Sequence, residues 1–250
     1  MVRQAPAPQL RGHVSSYYGF RERTEGPLRR REGPGVDIVV IVSFEHHWLI
    51  DGERCTSFVG GLRLDQVTTE HQGRSHGMQI NLAPPSAYRL FGVPMHTLAQ
   101  RVVDLDGLLD ASSVERVAEA RDWTARFELL DGLLAKPLAE GRQPSAGVVW
   151  AWRRLVATDG HVPVGALAQE LGWSRKRIAA RFREEVGLPP KAVARLLRFE
   201  HARRLAGRLP WAEVAFECGY YDQSHLINDF RAVTGRTPET FLQDTVSAAA

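Results

Sequence analysis

Two short clusters in the last third of this chain carry the side chains that can read base edges in a DNA groove. Arg175, Lys176 and Arg177, with Ala180 and Arg183, form one. Gln223, Ser224 and His225, with Asn228 and Arg231, form the other. Arg and Lys donate to guanine O6 and N7, Asn and Gln pair with adenine, and a small alanine accepts a thymine methyl. Basic and amide side chains are common on any surface. What sets these apart is their spacing: Lys176, Ala180 and Arg183 lie 48 residues before Ser224, Asn228 and Arg231.

The elements that must position them repeat at the same interval. Ala168, Gly172, Ile178, Phe182, Gly187 and Pro190 are answered by Ala215, Gly219, Leu226, Phe230, Gly235 and Pro238. The offset is 47 for the first two pairs and 48 for the other four, so one residue is gained in the turn after the first glycine. A helix, a glycine-containing turn and an amphipathic helix outline a helix-turn-helix unit, here in tandem. Gly172 permits a tight turn that a Cβ would obstruct. Ser174 and Asp222 stand four residues before Ile178 and Leu226, where an N-cap is expected.

At ~100° per residue, a helix that buries Ile178 and Phe182 turns Lys176, Ala180 and Arg183 outward. Arg175 and Gln223 fall in the first helical turn and can reach forward, and the N-terminal part of a recognition helix is what enters the major groove. The first unit should therefore supply more electrostatic grip and the second more hydrogen-bond discrimination. Phe182, Phe230, Trp173, Trp211 and Tyr220 read as core or turn-packing residues. His225 reads as a cap, core-edge or phosphate contact ahead of a base reader. A long helix from Pro189 or Pro190 through Arg208 should pack Val193, Leu196, Leu197 and Leu205 on both units. Its Arg195, Arg198, Arg203 and Arg204 are expected to contact phosphates or to solvate that helix.

Charge is distributed accordingly. The formal net charge is only +3. Residues 1–158 hold 19 basic and 18 acidic side chains, whereas 174–208 hold 11 and 3, a stretch that draws a polyanion. The ratio of 29 Arg to 3 Lys fits a GC-rich genome as much as phosphate binding. Cys55 and Cys218 have no CxxC partners, which argues against a thiolate zinc site and fits a reducing compartment. No apolar run approaches the ~20 residues needed to cross a membrane. MVRQAPAPQLRG lacks the apolar core of a secretory signal, so the expected location is cytoplasmic.

Residues 1–104 read as β-rich. VDIVVIVSF, Val36–Phe44, has the pattern of a strand buried on both faces. Asp51-Gly52 signals a hairpin. Met78–Leu82 and Tyr88–Phe91 read as strands about an Ala83–Ser86 turn. Residues 105–144 read as a helical linker. A short helix should start near Ser112 or Ser113, and Asp122 should cap Trp123–Glu140, with Phe127, Leu130, Leu134 and Leu138 on one face. Pro137 is expected to bend or end that helix. Residues 145–245 begin with a helix carrying Val148, Val149, Trp152, Leu155 and Val156, closed near Asp159-Gly160. The expected fold class is α+β: an N-terminal β-rich barrel, a helical linker, and an all-α domain with two helix-turn-helix units.

The segment WAEVAFECGYYDQSHLINDFRAVTGRTPETF, Trp211–Phe241, resembles the AraC/XylS family of bacterial transcription regulators. Ala215, Cys218, Gly219, Tyr220, Asp222, Ser224, His225, Phe230, Arg231, Gly235, Thr237 and Pro238 fit that family's pattern, and the resemblance covers about 145–243. Leu226 departs from the usual aromatic, Asn228 from the usual Arg, and Phe241-Leu242 from the usual Tyr-Arg. The Asn228 departure puts a strong phosphate or guanine contact from the second helix in doubt. The resemblance implies two helices entering successive major grooves on one face of duplex DNA. It also implies a cupin-like N-terminal barrel that binds a small effector or mediates dimerisation. The 105–142 segment resembles linker helices that often pair subunits, and its Phe127–Leu134 stripe suits packing on its own barrel equally well.

The expected partners are double-stranded DNA, a small-molecule effector, RNA polymerase and a second copy of the chain, with no membrane. Phe44, Trp48, Phe58, Met78, Tyr88 and Phe91 are the places to look for an effector pocket, beside the alternative that they are ordinary core. No enzyme activity, cofactor or metal is expected. His46-His47 lacks the spacing of a cupin metal site, since strand neighbours face opposite ways, and His71 and His76 read as surface or loop histidines. The alternatives are a cupin-type enzyme fused to a DNA-binding tail, which metal content would reveal, and a regulator controlled by a protein partner.

Overall fold

The computed structural model describes residues 1–44, 47–106 and 108–247, with side chains through 242. Ten strands come first: β1 (Val2–Arg3), β2 (Val14–Arg23), β3 (Leu28–Glu32), β4 (Ile38–Ser43), β5 (Trp48–Ile50), β6 (Glu53–Cys55), β7 (Phe58–Gly60), β8 (Val67–His71), β9 (Arg74–Leu82) and β10 (Val102–Asp104). They form a six-stranded sheet, β1-β2-β9-β4-β7-β10, and a four-stranded sheet, β3-β8-β5-β6. Every named pairing is antiparallel.

Side-chain alternation decides what each face of the large sheet does. Val40 opposes Ile80, and Val42 opposes Met78. These residues, with Tyr17, face helices and join the main core. Ile41, between them in sequence, packs with Ile50 and Phe58 in a separate cluster bordered by Phe20, Val39, Trp48 and Val67. The apolar run is therefore covered on both sides, by helices on one and by the small sheet on the other.

Helix α1 (Pro84–Phe91) follows β9 directly. Tyr88–Phe91 is thus helical and not a strand. Pro84 and Pro85 take the first helical positions, where a missing N–H costs nothing. Helix α2 (Ala111–Glu119) is capped by Asp110, which accepts from Ser113 N–H at 2.9 Å, two or three residues ahead of the start expected at Ser112 or Ser113. Helix α3 (Trp123–Glu140) is capped by Asp122 at 2.9 Å. It continues past Pro137 to Glu140. Its Phe127 stacks on Tyr17 at 5.0 Å, and the Tyr17 hydroxyl donates to Asp131 at 2.7 Å, so α3 is fastened across β2.

Seven helices complete the chain: α4 (Ala146–Ala157), α5 (Val164–Glu170), α6 (Arg175–Glu185), α7 (Pro190–Leu205), α8 (Trp211–Glu217), α9 (Gln223–Thr234) and α10 (Pro238–Ser247). The main core runs without a break from the sheet through α3 into α4, α5, α6 and the first half of α7. The second half of α7 belongs to a different cluster, Phe199, Ala202, Val214, Ala215, Cys218, Tyr220, Leu226, Phe230 and Val233. Phe230 is its hub, with ring centroids 4.9 Å from Phe199 and 5.7 Å from Trp211. Leu205, expected to serve both units, borders only this second cluster. No helix among the described residues is long and apolar enough to cross a membrane.

Candidate nucleic-acid interface

The two units are built alike. In the first, α5 and α6 are joined through Gly172 at φ +62°. In the second, α8 and α9 are joined through Gly219 at φ +65°, and this left-handed backbone is what a glycine supplies without strain. The residue after each glycine donates its N–H back to the small residue of the preceding helix: Trp173 to Ala168 at 2.8 Å, Tyr220 to Ala215 at 2.9 Å. Ser174 Oγ accepts from Arg177 N–H at 3.1 Å, and Asp222 Oδ1 from His225 N–H at 2.7 Å. Each such cap contributes about 1 kcal/mol by satisfying an otherwise orphaned donor. Ile178, Phe182, Leu226 and Phe230 are wholly buried.

That burial sets the outward faces. Arg175, Lys176, Arg177, Ala180 and Arg183 are all exposed on α6. Gln223, Ser224, His225, Asn228 and Arg231 are all exposed on α9. Not every one is free. The Arg177 guanidinium lies over the Trp173 ring at 4.7 Å. The His225 ring stands edge-on to Tyr220 at 5.3 Å, and its Nδ1 accepts from Tyr221 N–H at 3.4 Å. His225 thus helps to cap its own turn.

Most of the arginines on α7 are engaged within the protein. Arg195 pairs with Asp229 of α9 at 2.5 Å, and Asp229 also accepts from the Tyr220 hydroxyl at 3.2 Å. Arg204 pairs with Asp159 at 2.6 Å and Arg203 with Glu200 at 2.8 Å. Arg198 lies 5.7 Å from the Tyr220 ring centre. Arg203–Glu200 is a local i,i+3 pair, whereas Arg195–Asp229 and Arg204–Asp159 join residues far apart in sequence, which local patterns do not reveal.

The C-terminal end of α6 meets the rest of the molecule at a polar seam. Glu185 is wholly buried and pairs with Arg181. Glu184 pairs with Arg142 at 3.0 Å and accepts from the Tyr88 hydroxyl at 3.5 Å. The Arg142 guanidinium lies 5.0 Å over the Tyr88 ring. A 3-10 turn, Met95–Thr97, packs on α6 beside this seam.

The six residues singled out for an effector pocket do not share one site. Trp48 and Phe58 line a cavity of about 740 Å³ between the sheets, with Phe20, Ile41, Ile50 and Val67. Phe44 lines a different cavity of about 630 Å³, against α2. Met78 is wholly buried on the helix-facing side of the sheet. Tyr88 is at the seam, and Phe91 ends α1 and packs against the main core. The polar end of the inter-sheet cavity is an ion pair that sequence spacing does not show. Arg30 grips Glu22 with both nitrogens, at 2.6 and 2.7 Å, and buried His71 reaches Glu22 at 3.1 Å. The Arg30 hydrogen bond holds the Glu22 carboxyl below its usual range, against the opposing effect of burial. Arg63, also on the wall, is paired with Asp65 at 3.2 Å and Asp51 at 3.5 Å. His76 is buried beside Phe44 and Trp123, and His71 is buried as well, so neither is a loop histidine. His46 lies outside the described residues. Among the described residues no three His, Cys, Asp or Glu side chains are grouped to hold a metal.

The family model of a helix-turn-helix domain matches residues 167–244. No curated protein matches the chain. Among solved structures, ToxT from Vibrio cholerae aligns at TM-score 0.50 and 11% identity, over 91% of this chain and 98% of that one. ToxT from Vibrio cholerae strain SCE256 bound to an unsaturated fatty acid aligns at TM-score 0.50 and 11% identity, over 93% and 96%. The C-terminal domain of AraT, a response regulator from Geobacillus stearothermophilus, is 20% identical over 41% of this chain and 88% of that one, at TM-score 0.38. At such identities the ToxT likeness is one of fold. The tandem units and the matched domain define a DNA-binding transcription regulator. Residues 167–244 carry a helix-turn-helix domain of the AraC type.

Proposed function

We propose that this regulator inserts α6 and α9 into successive major grooves on one face of the duplex, and that a small effector held by the N-terminal region modulates it. The observation that carries the first part is the matched exposure of the two outward faces, at equivalent positions on helices with equivalent caps. Groove entry on one face needs centres ~34 Å apart, one turn of DNA. In this reading 1–104 is the effector or oligomerisation unit, 105–144 the linker and 145–245 the DNA-binding unit. RNA polymerase and a second copy of the chain are its macromolecular partners.

The effector site in this reading is the cavity between the sheets. Its apolar and aromatic walls end in a charged border that includes Arg21, Glu22, Glu32 and Asp37, and the Arg30 and Arg63 charges there are already paired within the protein. That chemistry favours an uncharged, ring-bearing molecule. The fatty acid bound to ToxT shows that a protein of this fold holds a small molecule.

Binding-site selection with the full chain, with and without a metabolite library, tests both parts. The expected result is an enriched bipartite site whose affinity falls log-linearly with salt and shifts with at least one compound. Failure to enrich any duplex sequence overturns the regulator mechanism. Enrichment that no compound alters overturns the effector part.

A further inference from the structure

The extra residue in the second unit can be placed. Counted from the glycine, Tyr220 occupies the place of Trp173, because both donate their N–H to the alanine of the preceding helix. Counted back from the cap, Asp222 occupies the place of Ser174. Tyr221 is what remains between them, and the first unit has no counterpart. Its N–H is tied to His225 Nδ1. Its side chain is 94% exposed, one residue ahead of the α9 cap and two ahead of Gln223.

An aromatic ring held fully in water next to a helix tip has no role in the fold. Tyr220 already fills the turn, and its hydroxyl is bonded to Asp229. The tip of α9 is the end that enters the groove in the proposed function, and the backbone just outside a groove presents phosphates and sugars. Tyrosine hydroxyls are among the groups that donate to phosphate oxygens and fix register without reading sequence.

We propose that Tyr221 is a DNA-positioning residue of the second unit, with its hydroxyl donating to a backbone phosphate and its ring covering the adjoining sugar. The inference rests on the DNA-binding reading and adds a contact absent from the first unit. Because the contact is to the backbone, it should act alike on all sequences.

The test is a titration of the full chain and of Tyr221→Phe and Tyr221→Ala against the selected duplex and two base-substituted versions of it. Tyr221→Phe should weaken binding by about threefold and Tyr221→Ala by about tenfold, within the range of one or two lost hydrogen-bond-scale contacts. The ranking of the three duplexes should stay unchanged, and so should the thermal midpoints, because the side chain packs on nothing. A photoreactive phenylalanine at 221 should crosslink to the sugar-phosphate strand. Tyr221→Ala binding within twofold of the parent protein overturns the proposal, as does an altered ranking of duplexes. If the parent protein itself binds no duplex, the DNA-binding reading falls, and this inference with it.

Discussion

Glu185, the last residue of α6, accepts both the backbone N–H and the hydroxyl of Ser145, at 2.7 and 3.0 Å. Ser145 is the residue before α4, so one buried carboxylate joins the end of α6 to the start of α4. Replacing Glu185 by Ala strands the Ser145 N–H and removes the nearer of the two carboxylates that Arg181 pairs with, leaving Glu184 at 3.5 Å. The expected cost is about 3 kcal/mol, the scale of breaking one side of a buried charged hydrogen-bond set. Urea denaturation of the full chain measures it. A loss under 1 kcal/mol would mean the seam contributes little.

The outward residues should separate into two classes. Lys176→Ala and Arg183→Ala should each weaken binding on every duplex and lower the salt slope by about one. Gln223→Ala and Asn228→Ala should change which duplex is preferred and leave the slope alone. Salt titrations on a panel of single-base variants read both effects. If Gln223→Ala and Asn228→Ala weaken all duplexes equally, the assignment of discrimination to the second unit is wrong.

The Glu22–Arg30 pair has a defined pH window. Its carboxyl is depressed in the folded state from the ordinary 4.5. A depressed carboxylate contributes stability above its unfolded pKa and loses it as pH falls through the folded value. The stability difference between the parent chain and Glu22→Gln should therefore be constant above about pH 5.5, a unit above the ordinary 4.5, and shrink towards zero below 4.5. Denaturation at a series of pH values gives the curve. A difference that grows on acidification would contradict the pairing.

Cys218 reports on the second core. It is wholly buried there, and burial pushes its thiol up to about 11. At neutral pH it should resist alkylation in the native state. Because its cluster is separate from the main core, local opening of the second unit should expose it first. Alkylation rates in rising urea should climb before the N-terminal sheets unfold. A single coincident transition would show that the two cores unfold together.

Much of the C-terminal fold was legible because its signals are local. Gly172, Gly219, Ser174 and Asp222 act on their own backbone, and Ile178, Phe182, Leu226 and Phe230 set a helical period within one turn. The Val36–Phe44 run showed its two-sided burial for the same reason. Tyr88–Phe91 misled, because a short apolar run carries no period of its own and Pro84-Pro85 opens a helix as readily as a turn. The pocket residues scattered because the face each takes depends on register: Met78 opposes Val42, while Gln79 opposes Ile41 and faces the cavity. Ser145–Glu185 and Arg195–Asp229 join residues 40 and 34 apart, and no local pattern announces such pairs.

Helix α7 gives its first half to one core and its second half to the other, and this makes it a ruler. One inserted residue would advance the second unit by about 1.5 Å and turn it by ~100°. One inserted base pair turns DNA by only about a tenth of a circle. A single inserted residue therefore matches no single inserted base pair. In the proposed two-groove mode, a one-residue change in this helix does not follow half-sites that drift apart by one base pair. New binding sites must then be reached by exchanging outward side chains at fixed spacing.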